Sequence, residues 1–268
     1  MAQKHFYGWR PQKPDHRDLR FAPPPRRVLA LPPFVDQRAS DPPVYDQGQE
    51  GSCTGNAGAY LDFRVRKTLN KDLYDASRDG LYGQALKIEG TFGSDNGAEI
   101  RDILKVIAQV GTWPENRPGD PANQPYNEHG YDTEPKAASL TFGKAHEGLV
   151  YAAVDQSLCQ MKGVLATGYP IIIGFTVCSS FESDATAATG IVTMPGSDEA
   201  VLGGHAVAIV GYDDLGKDAG GFAPIPRCWV VRNSWGADWG DKGYCYFPYE
   251  YLLNPDLSDD FWVLTKVE

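Results

Sequence analysis

Four polar residues spread along this chain have the side chains that thiol-based acyl transfer requires. Cys53 lies in a run of small and polar residues, His205 follows two glycines, and Asn233 begins the sequence Asn-Ser-Trp-Gly. Gln47 lies six residues before Cys53. A thiol attacks a carbonyl as its thiolate, so it needs a base, a group that orients the base, and donors that hold the oxyanion. These residues supply one candidate for each role.

Cys53 is the candidate nucleophile because the sequence places it at the start of a helix. The apolar residues after it follow the i, i+3, i+4 spacing of a helix, at Ala57, Tyr60, Leu61, Val65 and Leu69. The positive end of a helix dipole favours a thiolate and lowers its pKa. The flanks of Cys53 are small and polar, with Ser52 as the candidate cap. They favour an exposed thiol over a buried structural cysteine.

His205 is the candidate base because it precedes alternating apolar residues typical of a strand, which would hold its ring in place. The other four histidines lie in proline-rich or loop sequence. Asn233 follows a strand-like run, so its amide oxygen can accept the proton on the far imidazole nitrogen and fix the ring. Trp235 is expected to shield that hydrogen bond from water. Gln47 is expected to donate its side-chain N–H to an oxyanion, together with the backbone N–H of Cys53.

The composition argues against several other classes of function. A net charge of −10 and an isoelectric point near 5.0 disfavour a phosphate-binding surface, so we expect no nucleic-acid partner. No apolar run approaches the ~20 residues of a membrane-spanning helix, so no membrane partner is expected. The N-terminal residues are charged and include Pro11 and Pro14, unlike a secretory signal. We expect a monomer without a cofactor, either cytoplasmic or exported without a classical signal peptide.

The cysteines are predicted to be free thiols and not metal ligands. Five is an odd number, so at least one thiol stays unpaired within a monomer, and Cys53 is the candidate. No two cysteines lie at Cys-x-x-Cys spacing and none has a histidine three to five residues away, so we expect no metal site. In a reducing compartment the others are most simply small buried apolar residues, namely Cys159, Cys178, Cys228 and Cys245.

The apolar spacing changes near residue 145, from mostly helical to mostly strand-like, which predicts an α+β fold of two subdomains with a cleft between them. The predicted elements are helices over 98–110, stopping at Gly111, and over 154–166, then strands over 170–177, 206–212, 228–232 and 244–248. The catalytic domain, residues 34–268, is accordingly divided into a helical part over about 45–145, a strand-rich part over about 146–252, and a C-terminal tail that crosses back.

Residues 1–33, here called the arm, are predicted to be an extended segment and not a domain. Their many prolines remove amide donors and fix the backbone. Disordered segments usually lack aromatic residues, yet the arm carries Phe6, Tyr7, Trp9 and Phe21. We therefore expect the arm to dock on the rest of the protein.

Together these features resemble the papain-like cysteine proteases. In that family a glutamine, a helix-start cysteine, a strand histidine, an asparagine and a shielding tryptophan form the site, which matches Gln47, Cys53, His205, Asn233 and Trp235. The Tyr-Gly-Trp run at 7–9 and the segment 44–48 are similar to bacterial members of the xylellain type. The resemblance implies a papain-like fold, with a helical left subdomain and a β-barrel-like right subdomain flanking the active-site cleft.

The resemblance also implies how a peptide or protein substrate binds. In the family an extended substrate pairs with the backbone of a glycine-containing loop, which Asn96 and Gly97 resemble, and Gly204 leaves room in the neighbouring side-chain pocket. The chain departs from the family motif at Glu50, in place of a disulfide cysteine, and at Thr54, in place of an aromatic residue. Relatives often carry a prosegment, so we expect the arm to lie near its own cleft and restrict access.

The leading interpretation is an endopeptidase that forms a thioacyl-enzyme on Cys53 and hydrolyses it with the help of His205. A thiol acyltransferase or deamidase is the main alternative, but such sites usually carry aspartate where this chain has Asn233. A catalytically silent binding protein on the same scaffold is the alternative outside catalysis. It predicts that at least one of these three residues is missing, and none is.

Overall fold

The alternating apolar residues of the second half form one open antiparallel sheet. We describe residues 5–24 and 30–268 from a computed structural model; the remaining residues of the arm lie outside this description. The strands are β1 (Phe34–Asp36), β2 (Gly148–Ala153), β3 (Ile171–Cys178), β4 (Val201–Asp213), β5 (Cys228–Arg232), β6 (Tyr244–Pro248) and β7 (Ser258–Val267). They lie in the order β2-β7-β3-β4-β5-β6, and β1 pairs with the end of β4.

The helices fall into two groups along the chain. Those of the first half are α1 (Cys53–Thr68), α2 (Arg78–Ile88), α3 (Ile100–Gln109) and α4 (Ala137–Lys144). Those between later strands are α5 (Leu158–Ala166), α6 (Asp184–Thr189) and α7 (Tyr249–Leu253). Within the described residues no helix is long and apolar enough to cross a bilayer.

The sheet carries a hydrophobic core on each face, because successive side chains of a strand point in opposite directions. On β4, Ala206 and Ala208 pack in the core shared with α1, α2 and α3. Val207 and Ile209 face the other core, which contains residues of α5 and α7. Helix α1 is buried from Cys53 to Arg66, so it forms the centre of the helical half. The two-subdomain α+β fold is thus confirmed.

Most of the predicted elements are confirmed. Helix α1 starts at Cys53, and α3, α5 and the strands β3 to β6 lie where the apolar spacing indicated. Strand β4 is longer than predicted. It begins at Val201, so His205 lies inside the strand and not at its start. Seven of the helices and strands in the described residues were not predicted, namely α2, α4, α6, α7, β1, β2 and β7. The glycines of α2 interrupt its helical pattern, and a Cβ at Gly80 would come within 2.4 Å of Trp113, so close packing explains that glycine. Strand β7 falls in the predicted C-terminal tail.

A buried arginine joins the sheet to the chain segment that enters the helical half. Arg232, the last residue of β5, donates from Nη1 to the Pro42 carbonyl at 2.9 Å and from Nη2 to the Pro43 carbonyl at 2.5 Å. Its guanidinium lies between the rings of Tyr45 and Tyr60, with centroid distances of 5.0 and 4.8 Å. Because Arg232 directly precedes Asn233, this clamp also positions the start of the Asn-Ser-Trp-Gly run.

Arg232→Met is therefore expected to lower the free energy of unfolding by about 3 kcal/mol, since it leaves the carbonyls of buried Pro42 and of Pro43 without their charged donor. Urea denaturation followed by tryptophan fluorescence measures the change. Arg232→Lys is the matched control, because it keeps the charge and one donor and should lose less. A Met variant as stable as the parent would show that the clamp contributes little.

Candidate active site

Cys53 is completely buried at the first turn of α1. Its Sγ accepts the backbone N–H of Ala206 on β4 at 3.4 Å, which brings the helix start against the sheet. Burial raises the pKa of the thiol to about 11, although backbone hydrogen bonds from Ala206, Gly8 and Thr54 oppose this shift. The prediction of an exposed thiol with a lowered pKa is wrong while the arm is docked, because Gly8 of the arm lies over the sulfur. Ser52 occupies the cap position but makes no side-chain cap.

The His205 ring is held in one orientation by Asn233. The Nε2 atom of His205 lies 2.8 Å from Oδ1 of Asn233, which also accepts the backbone N–H of Ser234 at 2.8 Å. Because an amide oxygen only accepts, Nε2 must carry the proton. Nδ1 of His205 has no hydrogen-bond partner within residues 5–24 and 30–268. Complete burial lowers the pKa of His205 to about 4, against the opposing effect of the Asn233 hydrogen bond.

The ring of Trp235 stacks on the ring of His205. Its ring centroid lies 4.9 Å from that of His205 in a stacked arrangement, and the Trp235 side chain is 6% exposed. Trp239 and Phe181 pack against Trp235 edge-on. This aromatic cluster keeps water from the hydrogen bond between His205 and Asn233.

Gln47 is buried, and hydrogen bonds at both ends fix the orientation of its carboxamide. Ser234 Oγ donates to Oε1 of Gln47 at 2.6 Å, so Nε2 points the other way. That nitrogen donates to the Glu50 carbonyl at 2.8 Å and lies 3.4 Å from the carbonyl oxygen of Phe6 in the arm. The Gln47 N–H therefore already faces a carbonyl group in the cleft.

The arm crosses the cleft directly over these residues. We call residues 5–12 the cleft segment. Its backbone bonds to both walls: the Ala98 N–H donates to the Gly8 carbonyl at 2.7 Å, and the Trp9 N–H donates to the Gly204 carbonyl at 2.9 Å. Trp9 and Ala98 form a parallel bridge. The expected docking of the arm on its own cleft is thus what the structure contains.

The side chains of the cleft segment fill the space beside the histidine and tryptophan. His5 stacks on Trp235 with ring centroids 3.8 Å apart. The rings of Tyr7 and His205 meet edge to face, with their centroids 6.2 Å apart. The Tyr7 hydroxyl donates to Glu182, and the Arg10 guanidinium pairs with Glu89. Docking therefore uses aromatic packing and ion pairing in addition to backbone hydrogen bonds.

Two of the three predicted substrate-binding residues touch the cleft segment. A Cβ on Gly97 would lie 2.2 Å from the Gly8 oxygen, and one on Gly204 would lie 2.6 Å from the Trp9 oxygen. Asn96 is exposed and its side chain makes no hydrogen bond within the described residues. Ala98, the last residue of the predicted loop 95–98, supplies the backbone pairing. Sequence reasoning missed Asp260, which bonds the Trp9 indole and which no motif marks.

The remaining cysteines do not take part in the site. Cys178, Cys228 and Cys245 are buried free thiols, as predicted, whereas Cys159 is exposed because it lies on the outer surface of α5. Across the described residues no three His, Cys, Asp or Glu side chains meet in a group that could hold a metal ion.

Comparison with known proteins agrees with this geometry. Residues 31–251 match the family model described as papain family cysteine protease. The chain is 32% identical over 251 residues to an uncharacterised peptidase C1-like protein of Acanthamoeba polyphaga mimivirus, covering 90% of this chain and 73% of that protein. It is 30% identical to cysteine proteinase 3 of Entamoeba histolytica, covering 81% of this chain and 63% of that protein.

A solved structure resembles the chain over its whole length. Xylellain, a cysteine protease from Xylella fastidiosa, superposes with a TM-score of 0.85 at 33% identity, covering all of this chain and 98% of xylellain. The match includes the arm as well as the two subdomains. This protein therefore belongs to the papain family of cysteine proteases, enzymes that hydrolyse peptide bonds.

Proposed function

We propose that this endopeptidase uses Cys53 as nucleophile, His205 as general base and acid, Asn233 to orient the histidine, and Gln47 in the oxyanion hole. The Cys53 thiolate attacks the carbonyl carbon of a substrate peptide bond, after its proton has passed to Nδ1 of His205. Nε2 of Gln47 and the backbone N–H of Cys53 stabilise the oxyanion. The imidazolium then protonates the departing amine, which leaves a thioester. Water activated by His205 hydrolyses that thioester and regenerates the thiol.

The observation that supports this mechanism best is the hydrogen bond between His205 Nε2 and Asn233 Oδ1. It places the proton of the neutral ring on Nε2 and leaves Nδ1 as the basic nitrogen. An asparagine can stabilise this tautomer without adding a negative charge. A deamidase or acyltransferase of the kind considered above usually carries aspartate here, so the arrangement favours peptide hydrolysis.

The test is cleavage of fluorogenic dipeptide amides in the presence of a thiol reductant. Cys53→Ala is expected to lower turnover by about 10⁴-fold or more and to abolish covalent labelling by a thiol-directed epoxide. Cys159→Ala is the matched control, because it removes an exposed thiol and should keep both properties. Mass spectrometry of a glutamine-containing peptide separates backbone cleavage from deamidation. Deamidation without cleavage would overturn the endopeptidase mechanism.

The orientation of Gln47 gives a second test, because Ser234 holds its carboxamide. Gln47→Ala is expected to lower kcat by about 10²- to 10³-fold through loss of an oxyanion donor. Ser234→Ala leaves the donor in place but frees the amide to rotate, so a smaller loss of about tenfold is expected, mainly in kcat. Steady-state kinetics measure both variants. If both variants kept the kcat of the parent enzyme, Gln47 would not be the oxyanion donor.

We further propose that the cleft segment inhibits the enzyme in its docked state. It covers Cys53, and its backbone hydrogen-bonds to the backbone on both sides of the cleft. The carbonyl of its Phe6 faces the side-chain N–H of Gln47. Burial under the segment favours the neutral forms of both catalytic groups, because it raises the pKa of Cys53 and lowers that of His205. Between about pH 4 and 11 the covered site therefore holds a thiol and a neutral imidazole. A thiol in that form is a poor nucleophile.

Gly8 is the position where this inhibition is most easily broken. A Cβ at Gly8 would lie 1.6 Å from the backbone oxygen of Gly51, and a backbone atom cannot move aside as a flexible side chain can. Deleting the whole arm is a less specific test, because Leu19 and Phe21 pair with Ala153 and Trp9 belongs to the core. A single substitution removes the docking and leaves those contacts available.

Gly8→Ala is therefore expected to raise kcat/KM for dipeptide amides by about tenfold or more, which corresponds to ~1.4 kcal/mol of lost docking free energy. Alkylation of Cys53 by iodoacetamide at neutral pH should accelerate as well, because exposure restores a lower thiol pKa. Gly196→Ala is the control, since a Cβ there meets nothing closer than Glu199 at 3.9 Å. Unchanged turnover and unchanged alkylation in Gly8→Ala would refute inhibition by the segment.

A further inference from the structure

A buried guanidinium lies between the two chain segments that carry Gln47 and Cys53. Arg78 is the first residue of α2 and is 7% exposed. Its Nη1 donates to the Asp46 carbonyl and to Oδ1 of Asn56, each at 3.0 Å. Asp46 directly precedes Gln47, and Asn56 lies in the first turn of α1. One nitrogen atom of Arg78 therefore joins the two segments to each other.

Asn56 carries this contact on to the peptide group before Cys53. Nδ2 of Asn56 donates to the Ser52 carbonyl at 3.0 Å and to the Ser52 Oγ at 3.1 Å. The backbone N–H of Asn56 donates to the same carbonyl at 2.9 Å. That carbonyl and the N–H of Cys53 belong to one planar peptide group, so fixing one of them fixes the other. The direction of the Cys53 N–H thus depends on Asn56 and, through it, on Arg78.

The peptide group between Asp46 and Gln47 is held in the same way. Its carbonyl accepts the Arg78 hydrogen bond, and its N–H donates to the Ser234 carbonyl at 2.9 Å. On the other side of Gln47, the residue's own carbonyl accepts the Tyr126 hydroxyl at 2.8 Å. These hydrogen bonds fix the backbone from which the Gln47 carboxamide extends.

Arg78 is itself held by a carboxylate and two aromatic rings. Its Nε donates to Oε1 and Oε2 of Glu115 at 3.0 and 3.1 Å, and its backbone N–H donates to Oε2 at 3.1 Å. Its guanidinium carbon lies 3.7 Å from the ring centroid of Tyr126 and 4.8 Å from that of Tyr45. Stacking and pairing confine the planar guanidinium to one orientation. Glu115 also supplies the opposite charge that a buried cation requires.

We infer that Arg78 is a positioning residue of the oxyanion hole, because its hydrogen bonds fix both groups that donate to the oxyanion, the Gln47 carboxamide and the Cys53 N–H. This inference rests on the endopeptidase mechanism proposed above. A displacement of about 1 Å in such groups can cost about 10²-fold in rate, so loss of Arg78 is expected to lower kcat. KM should change little, because the oxyanion forms only in the transition state.

The experiment compares Arg78→Lys and Arg78→Met with Arg64→Met as the matched control. Lysine keeps a cation opposite Glu115 but lacks the outer Nη1 atom, so its variant should lose less stability than Arg78→Met while losing as much kcat. Arg64 is also buried, at 3% exposed, and its guanidinium donates to Asp41 and Gln37. Urea denaturation measures the stability of each variant, and kinetics are measured where each is folded.

Two reagents separate the oxyanion hole from the thiol. A peptide aldehyde forms a bond between its carbonyl carbon and the Cys53 sulfur, the thiol proton passes to the carbonyl oxygen, and that oxygen lies at the oxyanion position. Iodoacetamide alkylates the same sulfur with loss of iodide and a proton, and forms no oxyanion. Docking of the cleft segment lowers both reactions by the same factor. The aldehyde association constant divided by the alkylation rate constant therefore reports on the oxyanion hole alone.

Both Arg78 variants are expected to lower kcat by about tenfold or more and to lower this quotient by a similar factor, with KM changed by less than about threefold. Arg64→Met is expected to lose stability but to keep kcat and the quotient within about threefold.

An unchanged quotient in both Arg78 variants would overturn the inference, and so would an equal fall in Arg64→Met, since the effect would then follow general destabilisation. Absence of both turnover and aldehyde binding in the full-length protein and in Gly8→Ala would refute the endopeptidase mechanism itself, and the inference with it.

Discussion

The hydrogen bond between Asn233 and His205 is the contact on which the rest of the site depends. It joins His205, inside β4, to the residue that directly follows the neighbouring strand β5, and both of its residues are buried. Ser234, the next residue, extends the link into the helical half. Its hydroxyl donates to the side-chain oxygen of Gln47, and its carbonyl accepts the backbone N–H of Gln47. A bridge between Asp46 and Trp235 strengthens the same junction. One short loop thus orients His205, Gln47 and the aromatic ring of Trp235 together.

Local sequence signals predicted the elements that carry the chemistry. The helix that starts at Cys53 follows from apolar spacing, the strand around His205 from alternation, and the loop at Asn233 from its glycines and tryptophans. These signals extend over a few residues, so a sequence displays them directly. The parts that sequence missed depend on contacts between distant segments. Asp260 meets Trp9 across 251 positions, and Cys53 is buried because Gly8 lies on it. No local pattern encodes such pairings.

Glu50 illustrates how a departure from the family motif is accommodated. It stands where the family motif has its first cysteine, and it is completely buried. Its Oε2 accepts the backbone N–H of His129 at 2.6 Å, while Glu128 accepts the N–H of Gln49 at 2.6 Å. These hydrogen bonds tie the loop near residue 128 to the segment that precedes Cys53. Burial, with the nearby charge of Asp79, raises the pKa of Glu50 to about 8, which favours a neutral carboxyl group in this position.

The anchoring of the arm beyond the cleft determines how the docked segment behaves. The Leu19 carbonyl accepts the backbone N–H of Ala153, and the Phe21 N–H donates to the Ala153 carbonyl. The Arg101 guanidinium donates to the Asp18 carboxylate. In the inhibition that we propose, the cleft segment is a tethered competitor that meets the active site at an effective concentration set by a short linker. Occupancy of the cleft is a property of each single molecule, so dilution leaves it unchanged. A segment that detaches remains attached through these anchors and can return, which makes the covering of the thiol reversible without any cut in the chain.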